Sequence, residues 1–109
     1  MNSSQYLLFR SGSESCALPL SSVREIARHS VLGPVDQKSS SERGRVNARG
    51  EIASVIVPGG GEIENLAICI LAELEDGSLA AFVADEVQGV QEERGDARLL
   101  IGVRPRSAA

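Results

Sequence analysis

The run Leu66-Ala67-Ile68-Cys69-Ile70-Leu71-Ala72-Glu73-Leu74 places apolar side chains on both alternating faces until Glu73. A strand covered by protein on both sides reads this way. Glu75-Asp76-Gly77-Ser78 follows, and Asp-Gly is a strong local signal for a tight hairpin turn. Leu79–Val83 then returns as the partner strand. A chain built around such a hairpin must cover both faces of it, which commits the rest of the sequence to making a core.

The remaining segments follow the same pattern of short apolar runs cut by turn residues. Tyr6–Arg10 and Ser15–Pro19 flank Ser11-Gly12-Ser13 and read as a second hairpin. Pro19 has no N–H to give a ladder, so that strand ends there or lies on an edge. Ser21 or Ser22 is placed to cap a brief helical turn starting at Val23, although Val23, Ile26 and Ala27 form too short a run to separate helix from strand. Residues 33–43 form a polar, Ser-rich loop with a composition expected to be mobile. Val46–Val57 reads as strand, tight turn and strand, with the turn at Arg49-Gly50. Pro58-Gly59-Gly60-Gly61 reads as a flexible connector. No Gly-Lys-Ser/Thr follows it, as a phosphate loop would require. Val87 and Val90 stand three apart, Leu99–Val103 is a last short strand, and 104–109 is expected to fray. Many short strands with glycine turns and no long amphipathic helix predict a mostly β chain, a small barrel or pair of barrels.

Length and composition narrow the function classes. A chain of 109 residues holds one compact unit or two small barrels sharing a core. With only Tyr6, Phe9 and Phe82 as aromatics, that core is aliphatic and stacking platforms for single-stranded nucleic acid are scarce. A net charge of −4 argues against a general nucleic-acid binder. The charge is uneven: residues 1–50 carry seven basic and four acidic groups, a balance of +3, and residues 51–109 carry four basic and eleven acidic, a balance of −7. Such asymmetry can steer one half onto the other or onto a neighbouring copy.

Catalytic chemistry finds little support. His29 is the only histidine, and the two cysteines, Cys16 and Cys69, show neither a C-x-x-C nor a zinc spacing. Both cysteines sit among apolar residues and are expected to be buried, reduced thiols. Asp85-Glu86 are adjacent, so on a strand they face opposite ways and make no acid/base pair. The first residues lack the basic start and apolar core of a secretory signal, and no apolar run approaches the ~20 residues of a membrane-spanning helix. The expectation is a cytoplasmic protein that is not an enzyme and uses no cofactor or metal.

The stretch Gly44 to Val57 carries the most information. Gly50 supplies the positive φ that a tight turn demands, and Arg49 projects at the corner beside Ala48, Ile52 and Val55. A guanidinium beside apolar surface makes a good interface anchor, because its plane packs while its donors pair. On spacing alone, a solvated surface arginine remains open.

Five blocks together resemble the CheW-like domain family: Tyr6-Leu7-Leu8-Phe9-Arg10, Ala17-Leu18-Pro19-Leu20, Val23-Arg24-Glu25-Ile26, Gly44…Asn47-Ala48-Arg49-Gly50-Glu51-Ile52…Val55-Ile56, and Phe82 through Val90. The resemblance covers about residues 6–92. It implies a pair of small five-stranded β-barrels packed through a shared core, of which the first could be incomplete. Residues 1–109 are then one CheW-like domain, with sub-barrels at about 1–20 plus 95–109 and at about 44–92. It also implies a non-catalytic adaptor of bacterial chemosensory signalling that couples a chemoreceptor, a methyl-accepting chemotaxis protein, to a CheA-type histidine kinase. Glu25 and Arg49 match family positions implicated in partner binding, with the Asn47 to Gly50 turn beside them. Val23, Ile26 and Val87 are expected to line apolar surface nearby.

The departures from the family are a shorter chain, a short glycine connector after Val57, and an end soon after Ile101-Gly102-Val103, where the family continues with a strand and a helix. An unclosed barrel exposes strand edges, so a homo-oligomer that covers them is expected. The alternative function is a module that self-associates and caps or regulates an array without coupling receptor to kinase.

Overall fold

The structure, a computed structural model, describes residues 5–31, 44–61, 63 and 66–100. The expectations attached to the loop at 33–43 and to Ile101–Val103 fall outside these residues.

The described residues form nine strands: β1 Tyr6–Ser11, β2 Glu14–Pro19, β3 Val23–Ser30, β4 Arg45–Ala48, β5 Glu51–Ile56, β6 Leu66–Glu73, β7 Leu79–Ala84, β8 Glu86–Gln91 and β9 Arg98–Leu99. The only helical piece among the described residues is a 3-10 turn at Leu20–Ser22. The helical turn expected from Val23 therefore lies one step earlier, and Val23 opens a strand. β-branched Val23 and Ile26 suit that pleated strand, and the Ser22 hydroxyl donates to the Pro19 carbonyl at 2.7 Å, tying the turn to the end of β2.

The strands make two sheets. One is four-stranded in the order β8-β1-β2-β9, and the other is five-stranded in the order β3-β6-β7-β5-β4. The expected grouping of about 44–92 differs from this at both ends. β3 joins the second sheet by pairing antiparallel with β6, and β8 joins the first by pairing antiparallel with β1.

The double-sided hairpin organises the core. β6 is buried at Ala67 and from Cys69 through Ala72. One face of β6 and β7, with Ile70, Ala72, Ala80, Phe82 and Ala84, packs on Leu7, Phe9, Cys16 and Leu18 of the first sheet. The other face, with Cys69, Leu71, Leu79 and Ala81, packs on Val46, Ala48, Ala53 and Val55 inside the curl of the second sheet. Fully burying a side chain such as Leu18, Phe9 or Ile70 stabilises by roughly 1.5–3 kcal/mol each. A core shared between the two sheets is the arrangement that the resemblance implies.

The two sheets are also latched. Asp85, at the crossing from β7 to β8, accepts a hydrogen bond from the Gly12 N–H at 2.5 Å, while its own N–H donates to the Arg10 carbonyl at 2.8 Å. The Gly59 N–H donates to the Ser11 hydroxyl at 3.1 Å. A Cβ on Gly59 would stand 1.9 Å from the Ser11 carbonyl oxygen. The glycine stretch expected to be a flexible connector is thus, at Gly59, a close backbone contact with the β1–β2 turn.

Candidate functional site

The β4–β5 hairpin turns on two residues, since Ala48 pairs with Glu51. Both residues of the loop have positive φ, Arg49 at 57° and Gly50 at 89°. This is the turn whose twist matches that of its strands, and it requires positive φ at both centres. Gly50 adopts it freely. Arg49 carries a Cβ and is held there at a cost of about 1–2 kcal/mol. The Asn47 side-chain oxygen accepts from the Gly50 N–H at 2.9 Å and supports the turn.

The turn faces β3 across the seam of the second sheet. β3 and β4 are its two edges, yet the sheet curls until they approach each other. Two ion pairs cross this seam. Arg49 Nη2 lies 3.5 Å from Glu25 Oε2, and Arg24 Nη2 lies 3.6 Å from Glu51 Oε1. These distances are long for hydrogen bonds, so the pairs act as charges held near one another. The Arg49 side chain is 85% exposed and that of Glu25 only 26%. The carboxylate is largely covered and the guanidinium is open to solvent.

Between the pairs is an open depression of about 180 Å3, lined by Arg24, Glu25, Ala48, Arg49, Glu51, Leu71 and Leu79. Its floor is apolar, because Leu71, Leu79 and Ala48 are buried, and its rim is charged. A second open depression of about 270 Å3 lies elsewhere on the sheet, between Arg28 on β3 and Asp85 beyond β7. Both fall below the ~300 Å3 at which enclosed small-molecule sites begin.

The structure brings Glu25, Asn47, Arg49 and Gly50 together. Val23, Ile26 and Val87 do not line the depression. Val23 and Val87 are half-buried against the inter-sheet core, and Ile26 is 44% exposed on the face of β3 opposite Glu25. Sequence reading missed Arg24, Glu51, Leu71 and Leu79 as site residues. The register pairing Glu25 with Leu71 sets the floor beneath the carboxylate. Arg24-Glu25 on one strand and Arg49, Glu51 on the facing hairpin are the signal that could have suggested a charge-paired seam.

The other chemical groups sit apart. Cys16 and Cys69 are free and buried. Burial pushes the Cys69 thiol up to about 11, and burial, followed by the nearby Glu14 charge, raises Cys16. Both are therefore protonated at neutral pH and poor nucleophiles. The His29 Nε2 is buried and has no hydrogen-bond partner among the described residues. No helix among the described residues is long and apolar enough to cross a membrane.

The family model of the CheW-like domain matches residues 5–96. The chain belongs to the CheW-like domain family. Among solved structures, this CheW-like chain is similar to the crystal structure of the scaffolding protein TtCheW from Thermoanaerobacter tengcongensis, with a TM-score of 0.65 and 21% identity over 83% of this chain and 65% of that one. At that identity the likeness is one of fold. The CheW-like chain spans 65% of the length of that solved protein. A comparison with curated proteins gives no significant match.

Proposed function

We propose that this CheW-like domain is a non-catalytic adaptor of a bacterial chemosensory system, joining a chemoreceptor to a CheA-type histidine kinase, and that the seam around Arg49 is a partner contact. The observation that carries this reading is Arg49 itself. A side-chain-bearing residue is held in a strained left-handed turn, with its guanidinium exposed above an apolar floor. Strain of this kind persists where the surrounding structure over-determines it, and it clusters at functional sites. The arrangement suits an apolar partner side chain entering between the two ion pairs, with a partner carboxylate or amide taking the Arg49 donors.

The test is Arg49→Asn. Asparagine accepts positive φ more readily than arginine, so the hairpin is kept while the guanidinium is removed. The expected outcome is an unchanged or slightly higher Tm and a loss of ~1–3 kcal/mol in calorimetric titration against the kinase or the receptor tip. Unchanged affinity for both partners would remove Arg49 from the contact. A second reading, a self-associating module that does not couple, is favoured by the four-strand sheet, whose edge strand β8 is unpaired on its outer side among the described residues. A reconstituted kinase assay separates the two readings, because only an adaptor makes kinase activity depend on receptor.

A further inference from the structure

We infer that Asp76-Gly77, at the tip of the β6–β7 hairpin, is a site of spontaneous aspartyl isomerisation, and that Ser78 guards it while the chain is folded. This goes beyond the adaptor reading and does not depend on it.

The chemistry is that of a carboxyl beside an unobstructed backbone amide. The Gly77 nitrogen attacks the side-chain carboxyl carbon of Asp76. A C–N bond forms, the amide proton and the carboxyl hydroxyl leave together as water, and a cyclic succinimide results. Water then reopens the ring. Attack at the side-chain carbonyl restores aspartate. Attack at the main-chain carbonyl leaves the chain running through the side-chain carboxyl, an isoaspartate whose backbone is longer by a methylene. Water is the only co-reactant. Aspartates stand at 36, 76, 85 and 96, followed by Gln37, Gly77, Glu86 and Ala97, so only Asp76 precedes a glycine. Glycine has no Cβ to shield its nitrogen and leaves the backbone free to rotate into the ring geometry. Glu75 through Ser78 are all exposed, so water reaches the ring carbonyls.

The folded turn opposes ring closure at both reacting atoms. The Gly77 N–H donates to the Leu74 carbonyl at 2.9 Å, and the Leu74 N–H donates to the Ser78 carbonyl at 2.8 Å. Gly77 is held at a φ of 88°. The Asp76 carboxylate is turned forward, where it accepts from the Ser78 N–H at 2.9 Å and from the Ser78 hydroxyl at 2.5 Å. The nitrogen must leave Leu74 and the carboxyl must leave Ser78 before they can meet. The carboxyl oxygen also departs as water only from the neutral acid. The Ser78 hydroxyl, followed by its N–H, holds the acid below its ordinary 3.8 and so keeps it ionised. Bonds at an exposed turn open by local fluctuation, and that opening sets the rate.

The position gives the reaction a consequence. Glu73 pairs with Leu79 immediately outside the turn, and Leu79 lines the depression beside Arg49. A lengthened backbone at Asp76 therefore strains the register that seats part of that floor.

The experiment is incubation of the whole chain well below its melting temperature, in buffer and in guanidinium chloride, as wild type, Ser78→Ala and Ser78→Thr. Isoaspartate is counted by enzymatic methylation and located by peptide mapping, which separates it from asparagine deamidation because only the latter changes the mass. In guanidinium chloride all chains are expected to isomerise at Asp76 at one rate, at least about tenfold faster than the folded wild type, a factor corresponding to about 1.4 kcal/mol of turn opening. The folded Ser78→Ala variant is expected to react roughly three- to tenfold faster than the folded wild type, and Ser78→Thr, which keeps the hydroxyl, at the wild-type rate. Thermal melts confirm that the variants are folded, and the folded and denatured wild type test the site without either of them. Absence of isoaspartate at Asp76 in the denatured chain, equal rates in the folded and denatured wild type, or a folded Ser78→Ala no faster than wild type overturns the proposal.

Discussion

At the scale of single residues, backbone approach and side-chain burial set the constraints. Gly59 shows this most clearly. Its Cβ would meet the Ser11 carbonyl at 1.9 Å, and the obstruction is backbone that cannot swing aside. Gly59→Ala is expected to destabilise by ~3 kcal/mol, read as a lower denaturation midpoint. Gly60→Ala, where a Cβ meets nothing within 4 Å but φ is 72°, pays only the left-handed strain of about 1–2 kcal/mol. His29 presents the opposite case. Its Nε2 is buried without a partner among the described residues, so His29→Leu removes a buried polar atom that makes no hydrogen bond there and is expected to leave Tm unchanged or raised. Cys69 gives a pH signature. Its folded pKa is raised from 9.0 to about 11, so the stability linked to the buried neutral thiol is complete below pH 9.0 and declines as pH rises toward about 11. Alkaline denaturation midpoints for Cys69→Ala, which lacks this titration, are expected to fall less steeply across that window. A thiol reagent at neutral pH is expected to react with neither cysteine until the chain is unfolded.

At the scale of elements, hairpin turns carry their own instructions. In the β6–β7 turn, Asp76 accepts from the Ser78 N–H at 2.9 Å and from the Ser78 hydroxyl at 2.5 Å. The hydroxyl is the main cause that holds the Asp76 carboxyl below its ordinary 3.8. The support this gives the turn is present above the ordinary value and is lost as pH falls through the lower folded one. Ser78→Ala is expected to return the Asp76 carboxyl, followed by NMR titration, toward its ordinary value. This turn and the β1–β2 and β4–β5 turns were legible in the sequence, because Asp-Gly, Ser-Gly-Ser and Arg-Gly sit between apolar runs. The Val23 segment was not. Its burial alternates along β3 only because β6 lies beside it, and that pairing joins residues more than thirty positions apart.

At the scale of the whole molecule, the second sheet closes by charge. Its edge β3 meets the β4–β5 hairpin through the pairs Arg24–Glu51 and Glu25–Arg49, and largely exposed pairs of this kind contribute only ~0–1 kcal/mol each. The firm part is the β6–β7 centre, buried on both faces. Amide exchange is therefore expected to be slowest in β6 and β7 and fastest at β3, β4 and β8. Equal protection at β4 and β7 would mean that the seam is stronger than its ion pairs.

The sequence by itself determined the strand-rich class, the aliphatic core, the hairpin turns and the arginine at the corner of one of them. Each is a local matter of side-chain period, turn chemistry or composition. The five matching blocks were legible for the same reason, since order along the chain is what a sequence records. Only the tertiary structure decided that β8 returns to the first sheet, that Gly59 is locked against Ser11, and that Glu25 faces Arg49 above Leu71 and Leu79. Those outcomes depend on register between distant strands and on how far a sheet curls. Both are set by packing the two faces of β6 and β7 at once, a condition that no local stretch of the chain contains.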